Sequence, residues 1–128
     1  MPSAQKSRPK YYDLNLLNLP LPGMVSILHR MTGVTMLMFL IPVALFLLQS
    51  TLHSESGFNF WRNVLNFPIV KLAVLGLVWA YMHHLFAGIR YLVMDVHLAV
   101  TKESARLTAI AVLVMGLLAT ALVGVRIW

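Results

Sequence analysis

The chain is 128 residues long, 59% hydrophobic and only 11% charged, with a mean hydropathy of +0.79; soluble domains carry about 25% charged residues, so a water-soluble fold is excluded and one compact membrane unit is expected. The formal net charge is +6, but Lys and Arg cluster at the ends of apolar segments, with no basic face or aromatic platform, so the charge reads as loop cations that set membrane orientation and not as a nucleic-acid footprint. There is no cysteine, which removes disulfides, iron–sulfur ligation and covalent c-type haem attachment from this chain.

The first segment, "AQKSRPKYYDLNLLNLPLPG", carries Lys6, Arg8 and Lys10 and then Pro20, Pro22 and Gly23. No apolar run follows the basic residues directly and no small-residue cleavage site is present, so it is not a secretory signal. The prolines and the glycine argue against a long helix there. Residues 1–24 are expected to form a cytoplasmic segment lying along the interface.

Three apolar spans follow. Met31 to His53, Leu72 to Ile89 and Leu107 to Val125 contain no Asp, Glu, Lys or Arg, and each is close to the ~20 residues that cross ~30 Å of hydrocarbon. Lipid offers no hydrogen bonds to the backbone, so all three should be helices. The expected architecture is an all-α membrane protein, with residues 25–128 forming a three-helix transmembrane domain and helices at about 25–49, 68–93 and 104–127. Pro42 removes a backbone donor inside the first span and should kink it, whereas Pro68 opens the second span, where a missing N–H costs little. Ser50–Phe67 reads as the only long loop and Asp95–Glu103 as a short one. With the N-terminus inside, Lys6, Arg8, Lys10, Arg30, Arg90, Lys102 and Arg106 fall on the cytoplasmic side against Arg62, Lys71 and Arg126 outside. The seven-to-three excess favours that orientation.

Two polar stripes interrupt the apolar pattern. In "GMVSILHRMTG", Ser26, His29, Arg30 and Gly33 fall at i, i+3, i+4 and i+7, on one helical face. A polar face with a full charge, entering a membrane, must meet protein, water or a polar ligand; the plainer alternative is an arginine snorkelling to the boundary beside a capping serine. In the second span, "WAYMHHLFAGIRYLVMD", His84, Gly88, Tyr91 and Asp95 share one stripe. His83 is rotated by ~100° and shares its side with Ala80, Ala87 and Arg90. The two histidines therefore cannot serve the same target. His84 lies ~9 Å deeper than Arg90 at 1.5 Å per residue, so a ligand between the first two helices would reach His84 at one end and Arg30 at the other. A b-type haem has those needs: a neutral imidazole for iron, Arg, His or Ser donors for propionates, and room such as Gly88 leaves for a flat macrocycle. A hydrogen bond from His84 to a neighbouring helix satisfies the same spacing, and periodicity does not choose between the two. Asp95 is open to pairing with Arg90 or Arg30, to proton transfer, or to plain solvation. In the third span Gly116, Thr120 and Gly124 recur every four residues, a small-residue stripe for close packing. There is no Gly-rich phosphate loop and no hydrolase or kinase motif, so a complete enzyme is not expected from this chain alone.

The segments "RPKYYDL", "SILHRMTG" and "HLFAGIRYLVMD" together resemble the cytochrome b membrane-anchor subunits of succinate dehydrogenase, respiratory complex II. That family shows an early Arg-Pro, S-x-x-H-R-x-[ST]-G opening the first helix, and H-x-x-x-G-x-R-x-x-x-x-D closing the second. The resemblance covers Arg8 to the C-terminus. It implies that His84 is an axial ligand of haem b, with the other axial histidine supplied by a second hydrophobic anchor subunit in a heteromeric helical bundle. It implies that Ser26 and Arg30 contribute to the ubiquinone site, that His29 and Arg30 lie near the haem propionates, and that Tyr91 and Asp95 are supporting residues. Tyr91 stands where the family often has histidine, and the family pattern has no place for His83, to which a hydrogen bond with a neighbouring helix is left. The implied role is an anchor for a flavoprotein and an iron–sulfur subunit, passing electrons from succinate to ubiquinone in the tricarboxylic acid cycle and respiratory chain. A fumarate reductase anchor working in the opposite direction and a haem-free structural anchor are the alternatives. The basic-residue distribution and the lack of a transit peptide point to a bacterial inner membrane with the N-terminus cytoplasmic.

Overall fold

The computed structural model describes residues 19–128, which contain four helices and no strand. Helix α1 runs Leu21–His53, α2 Glu55–Leu65, α3 Pro68–Asp95 and α4 Lys102–Ile127. Helices α1, α3 and α4 are each long and apolar enough to cross a membrane, as the three uncharged runs require. The basic residues before Pro20, and most of the expected interfacial segment, lie outside the described residues.

Three features differ from the sequence expectations. Helix α1 begins at Leu21, with Pro22 in its first turn. A proline there loses an N–H that would have had no partner anyway, so the Pro-x-Pro element starts the helix instead of blocking it. Around Pro42 the helix carries a π-helical turn, Met36–Leu40, closed by the Ile41 N–H on the Met36 carbonyl. Pro42 has no N–H to give to the turn before it, and the wider turn absorbs that defect. Finally, Ser50–Phe67 is not a loop. It contains the amphipathic helix α2, whose N-cap Ser54 accepts a hydrogen bond from the Gly57 N–H at 3.0 Å. Phe58, Trp61 and Leu65 fall at i, i+3 and i+7, a spacing that marks one apolar side, and Trp61 meets Phe46 of α1 edge-on at 5.6 Å.

The α1–α2 corner is tight. A Cβ at Gly57 would collide with the Ser50 carbonyl oxygen. Gly57→Ala is therefore expected to destabilise this corner by about 1–3 kcal/mol, read as faster hydrogen exchange of the α2 amides with exchange in α3 unchanged.

The bundle core is small. Val25, Ala87, Ala109 and Val112 form the buried cluster, flanked by Leu21, Phe86 and Leu113. Helices α3 and α4 pack most extensively on each other, and α1 lies against both. Gly116 is buried, and a Cβ there would meet the backbone of His83 at 3.5 Å, so the small-residue stripe does bring α4 close to α3. Most large apolar side chains of the three spans are exposed, the arrangement of a bundle solvated by lipid or by other membrane helices.

The buried face of α3 consists of Ala80, His83, Ala87 and Arg90. Arg90 donates through Nε to the Thr108 hydroxyl at 3.0 Å and through Nη2 to the Ala105 carbonyl at 3.3 Å, both on α4. Thr108 spends its own proton on α4 carbonyls, which leaves its lone pair for Arg90. The arginine thus fastens α3 to α4 and does not pair with Asp95, which is exposed. Thr108→Val would strand a buried charged donor, and a loss of about 1–3 kcal/mol is expected. Thermal unfolding of the purified complex in detergent measures it, with Thr108→Ser retaining most of the stability.

Candidate functional site

The two stripes meet. The imidazole of His29 on α1 stacks on that of His84 on α3, with centroids 4.1 Å apart and planes 17° from parallel. It lies 5.1 Å from the Tyr91 ring, and a Cβ at Gly88 would stand 3.8 Å from its Nε2. His84, Gly88 and Tyr91 therefore form the groove that receives His29. The His29 ring lies over Gly88, the position whose missing side chain reads in the sequence as room for a flat macrocycle.

The ring of His84 is held through one nitrogen. Nδ1 lies 3.0 Å from the His29 carbonyl oxygen and 3.3 Å from the Thr32 hydroxyl. A carbonyl can only accept, so Nδ1 carries the proton and donates. In the tautomer with its proton on Nδ1, the imidazole has its lone pair on Nε2. Among the described residues both hydrogen bonds of the ring use Nδ1 and none uses Nε2, and His84 is half-buried. An N–H to a backbone carbonyl on one nitrogen with the other nitrogen uncommitted is the arrangement of a metal-binding histidine.

His83 has the opposite character. It is fully buried, stacks on Trp79 one turn away at 5.4 Å, and turns its backbone to Gly116. The Val25 backbone lies close, but neither ring nitrogen has a hydrogen-bond partner among the described residues. The interhelical hydrogen bond expected of His83 is not formed among the described residues; Gly116 of α4 packs on its backbone and Cβ. An interhelical bond is made by His84 instead, and it coexists with a free Nε2.

Arg30 is exposed and Ser26 half-buried, one turn apart on α1. Arg30 directly follows His29, so it sits at the level of the stacked pair. Asp95 lies at the exposed end of α3. Thr32, buried and three residues after His29, is given no role by sequence reasoning although it fills the Ser/Thr position of the first-helix motif; it bonds back to the His29 carbonyl at 3.0 Å, as helical threonines do.

The described residues define a three-span helical membrane protein with a stacked histidine pair between its first two spans. Residues 4–123 match the family model of the succinate dehydrogenase/fumarate reductase transmembrane subunit. The chain is 35% identical to the succinate dehydrogenase cytochrome b556 subunit of Coxiella burnetii, over 94% of this chain and 97% of that one. It is 30% identical to the subunit of the same name from Rickettsia felis, over 92% and 91%. The chain belongs to the succinate dehydrogenase/fumarate reductase transmembrane subunit family.

Proposed function

We propose that this chain is the cytochrome b anchor subunit of a succinate dehydrogenase, binding haem b through His84 and contributing Ser26 and Arg30 to a ubiquinone site. The observation that carries the reading is the state of His84: Nδ1 protonated and tied to the His29 carbonyl, Nε2 free. The donor chemistry fits haem iron, which takes a neutral imidazole nitrogen, and the stacked His29 ring covers a face of the His84 imidazole rather than its Nε2 edge. When bound, haem b supplies a one-electron centre beside the quinone.

The remaining roles belong to the chain's own residues. Arg30 and Ser26, one turn apart, offer a charged and a neutral donor to a quinone carbonyl; the arginine stabilises the negative charge that builds on that oxygen during reduction. His29 and Arg30 are placed to meet propionates, with Tyr91 fixing the far side of the His29 ring and Asp95 the nearest carboxylate on α3. A half-buried histidine and an apolar exterior both call for a second hydrophobic subunit, which would bring the other axial histidine. The iron–sulfur and flavoprotein subunits would then dock at the cytoplasmic end, where Arg90, Lys102 and Arg106 lie. The membrane is a bacterial inner membrane in this reading, with the N-terminus cytoplasmic.

The family model spans fumarate reductase anchors as well; the names of the relatives favour the direction of succinate oxidation. A reduced-minus-oxidised spectrum of the purified complex tests the reading against a haem-free anchor. A b-type band is expected, and its absence removes the haem assignment.

A further inference from the structure

We propose that Thr32 and Gly33 are positioning residues for His84, fixing the direction in which its Nε2 presents itself to the iron. The inference rests on His84 being the axial ligand.

The hydroxyl of Thr32 has one proton, and its hydrogen bond to the His29 carbonyl at 3.0 Å uses it. Towards His84 Nδ1, 3.3 Å away, the hydroxyl has only lone pairs to offer. The Nδ1–H is therefore shared between two acceptors, the His29 carbonyl and the Thr32 oxygen. One acceptor fixes a distance; two fix the ring's rotation about χ2 as well. Thr32 is itself buried, so this hydroxyl does not exchange its partners for water.

Gly33 completes the cradle. A Cβ at this position would stand 3.0 Å from His84 Cε1, a tight contact from which the ring must give by a few tenths of an ångström, and in ordinary contact with Nδ1 at 3.5 Å. Cε1 is the ring atom between the two nitrogens, so an added methyl group presses on the edge that leads to Nε2. The α1 backbone from His29 to Gly33 thus grips Nδ1 and seats Cε1, and Nε2 is aimed by what remains. Groups that orient a metal-bound histidine in this way are worth 10- to 100-fold in metal affinity.

The test uses the whole membrane complex with Thr32→Val, which keeps the shape and removes the hydroxyl, Thr32→Ser, which restores it, and Gly33→Ala. Two readouts are taken: the electron paramagnetic resonance signal of the ferric haem, which responds to the relative orientation of the axial imidazole planes, and the rate of haem transfer to an excess of apomyoglobin. Retention of the flavoprotein and iron–sulfur subunits on the purified complex reports assembly. Thr32→Val and Gly33→Ala are expected to shift the resonance signal and to release haem about 10- to 100-fold faster, and Thr32→Ser to match the wild type in both. A Thr32→Val complex identical to wild type in signal and release overturns the role of the hydroxyl, as does a Thr32→Ser complex that behaves like Thr32→Val. Gly33→Ala probes the same ring while keeping both acceptors of Nδ1 in the chain, and a wild-type signal there overturns the cradle. His84→Ala separates the layers: loss of the b-type band beside an unperturbed Thr32→Val sinks this inference alone, and retention of the band sinks the ligand assignment beneath it.

Discussion

His84→Ala is expected to abolish the b-type absorption band of the purified complex, while His83→Leu leaves the band at full intensity. The contrast is sharp because the residues are adjacent and chemically identical. Removing His84 deletes the imidazole whose Nδ1 donates to the His29 carbonyl, and with it the ligand this chain would offer to iron. Removing His83 deletes a ring with no hydrogen bond at either nitrogen. A buried polar group without a partner costs about 1–3 kcal/mol, so a leucine of similar size is expected to leave stability unchanged or raised. The measurement is a pyridine haemochrome assay per complex beside a thermal melt. Loss of the band in His83→Leu with retention in His84→Ala would reverse the assignment of the two residues.

The second large effect is expected at Arg30. Arg30→Ala should lower kcat/KM for ubiquinone about 10- to 100-fold, the scale of one lost charge-assisted hydrogen bond. Succinate oxidation by an artificial acceptor should persist, because that reaction ends in the soluble subunits. Arg30 is exposed on its helix, so the substitution removes little packing and the loss reports on what the guanidinium meets outside this chain. Arg30→Lys keeps the charge but lacks the planar fork and should recover only part of the rate. Wild-type quinone kinetics in Arg30→Ala would dismiss the residue from the site.

Much of this arrangement is legible in the residues themselves. The three uncharged runs suffice for the spans, since hydrocarbon permits little besides helix. Helical period alone places His83 with Ala80, Ala87 and Arg90, the four residues that α3 buries, and it separates them from the His84 stripe. What period does not carry is the neighbour across a gap. Gly88 reads as open space until the His29 ring is seen above it, and Arg90 reads as a partner for Asp95 until Thr108 and Ala105 take its donors. Those outcomes depend on how two helices are rotated against each other, which no single helix specifies. Helix α2 is a different kind of omission. Its Ser54 cap and its 58, 61, 65 apolar spacing are in the sequence, but eleven residues between two long spans are easily taken for a connection.

The π-turn at Met36–Leu40 makes α1 two rods of different phase. Each residue of an α-helix advances the side-chain direction by about 100°, and a turn closed over one extra residue resets that count. Residues before Met36 keep the azimuth that brings His29, Thr32 and Gly33 to α3; residues after Leu40 follow a second azimuth that delivers Phe46 to Trp61 of α2. A helical wheel drawn through the whole of Leu21–His53 would therefore misplace one half or the other. Winding the same residues as a continuous α-helix would swing one end about 100° relative to the other, so the wider closure of these five residues acts as the angular setting between the histidine end of the membrane and the α2 end.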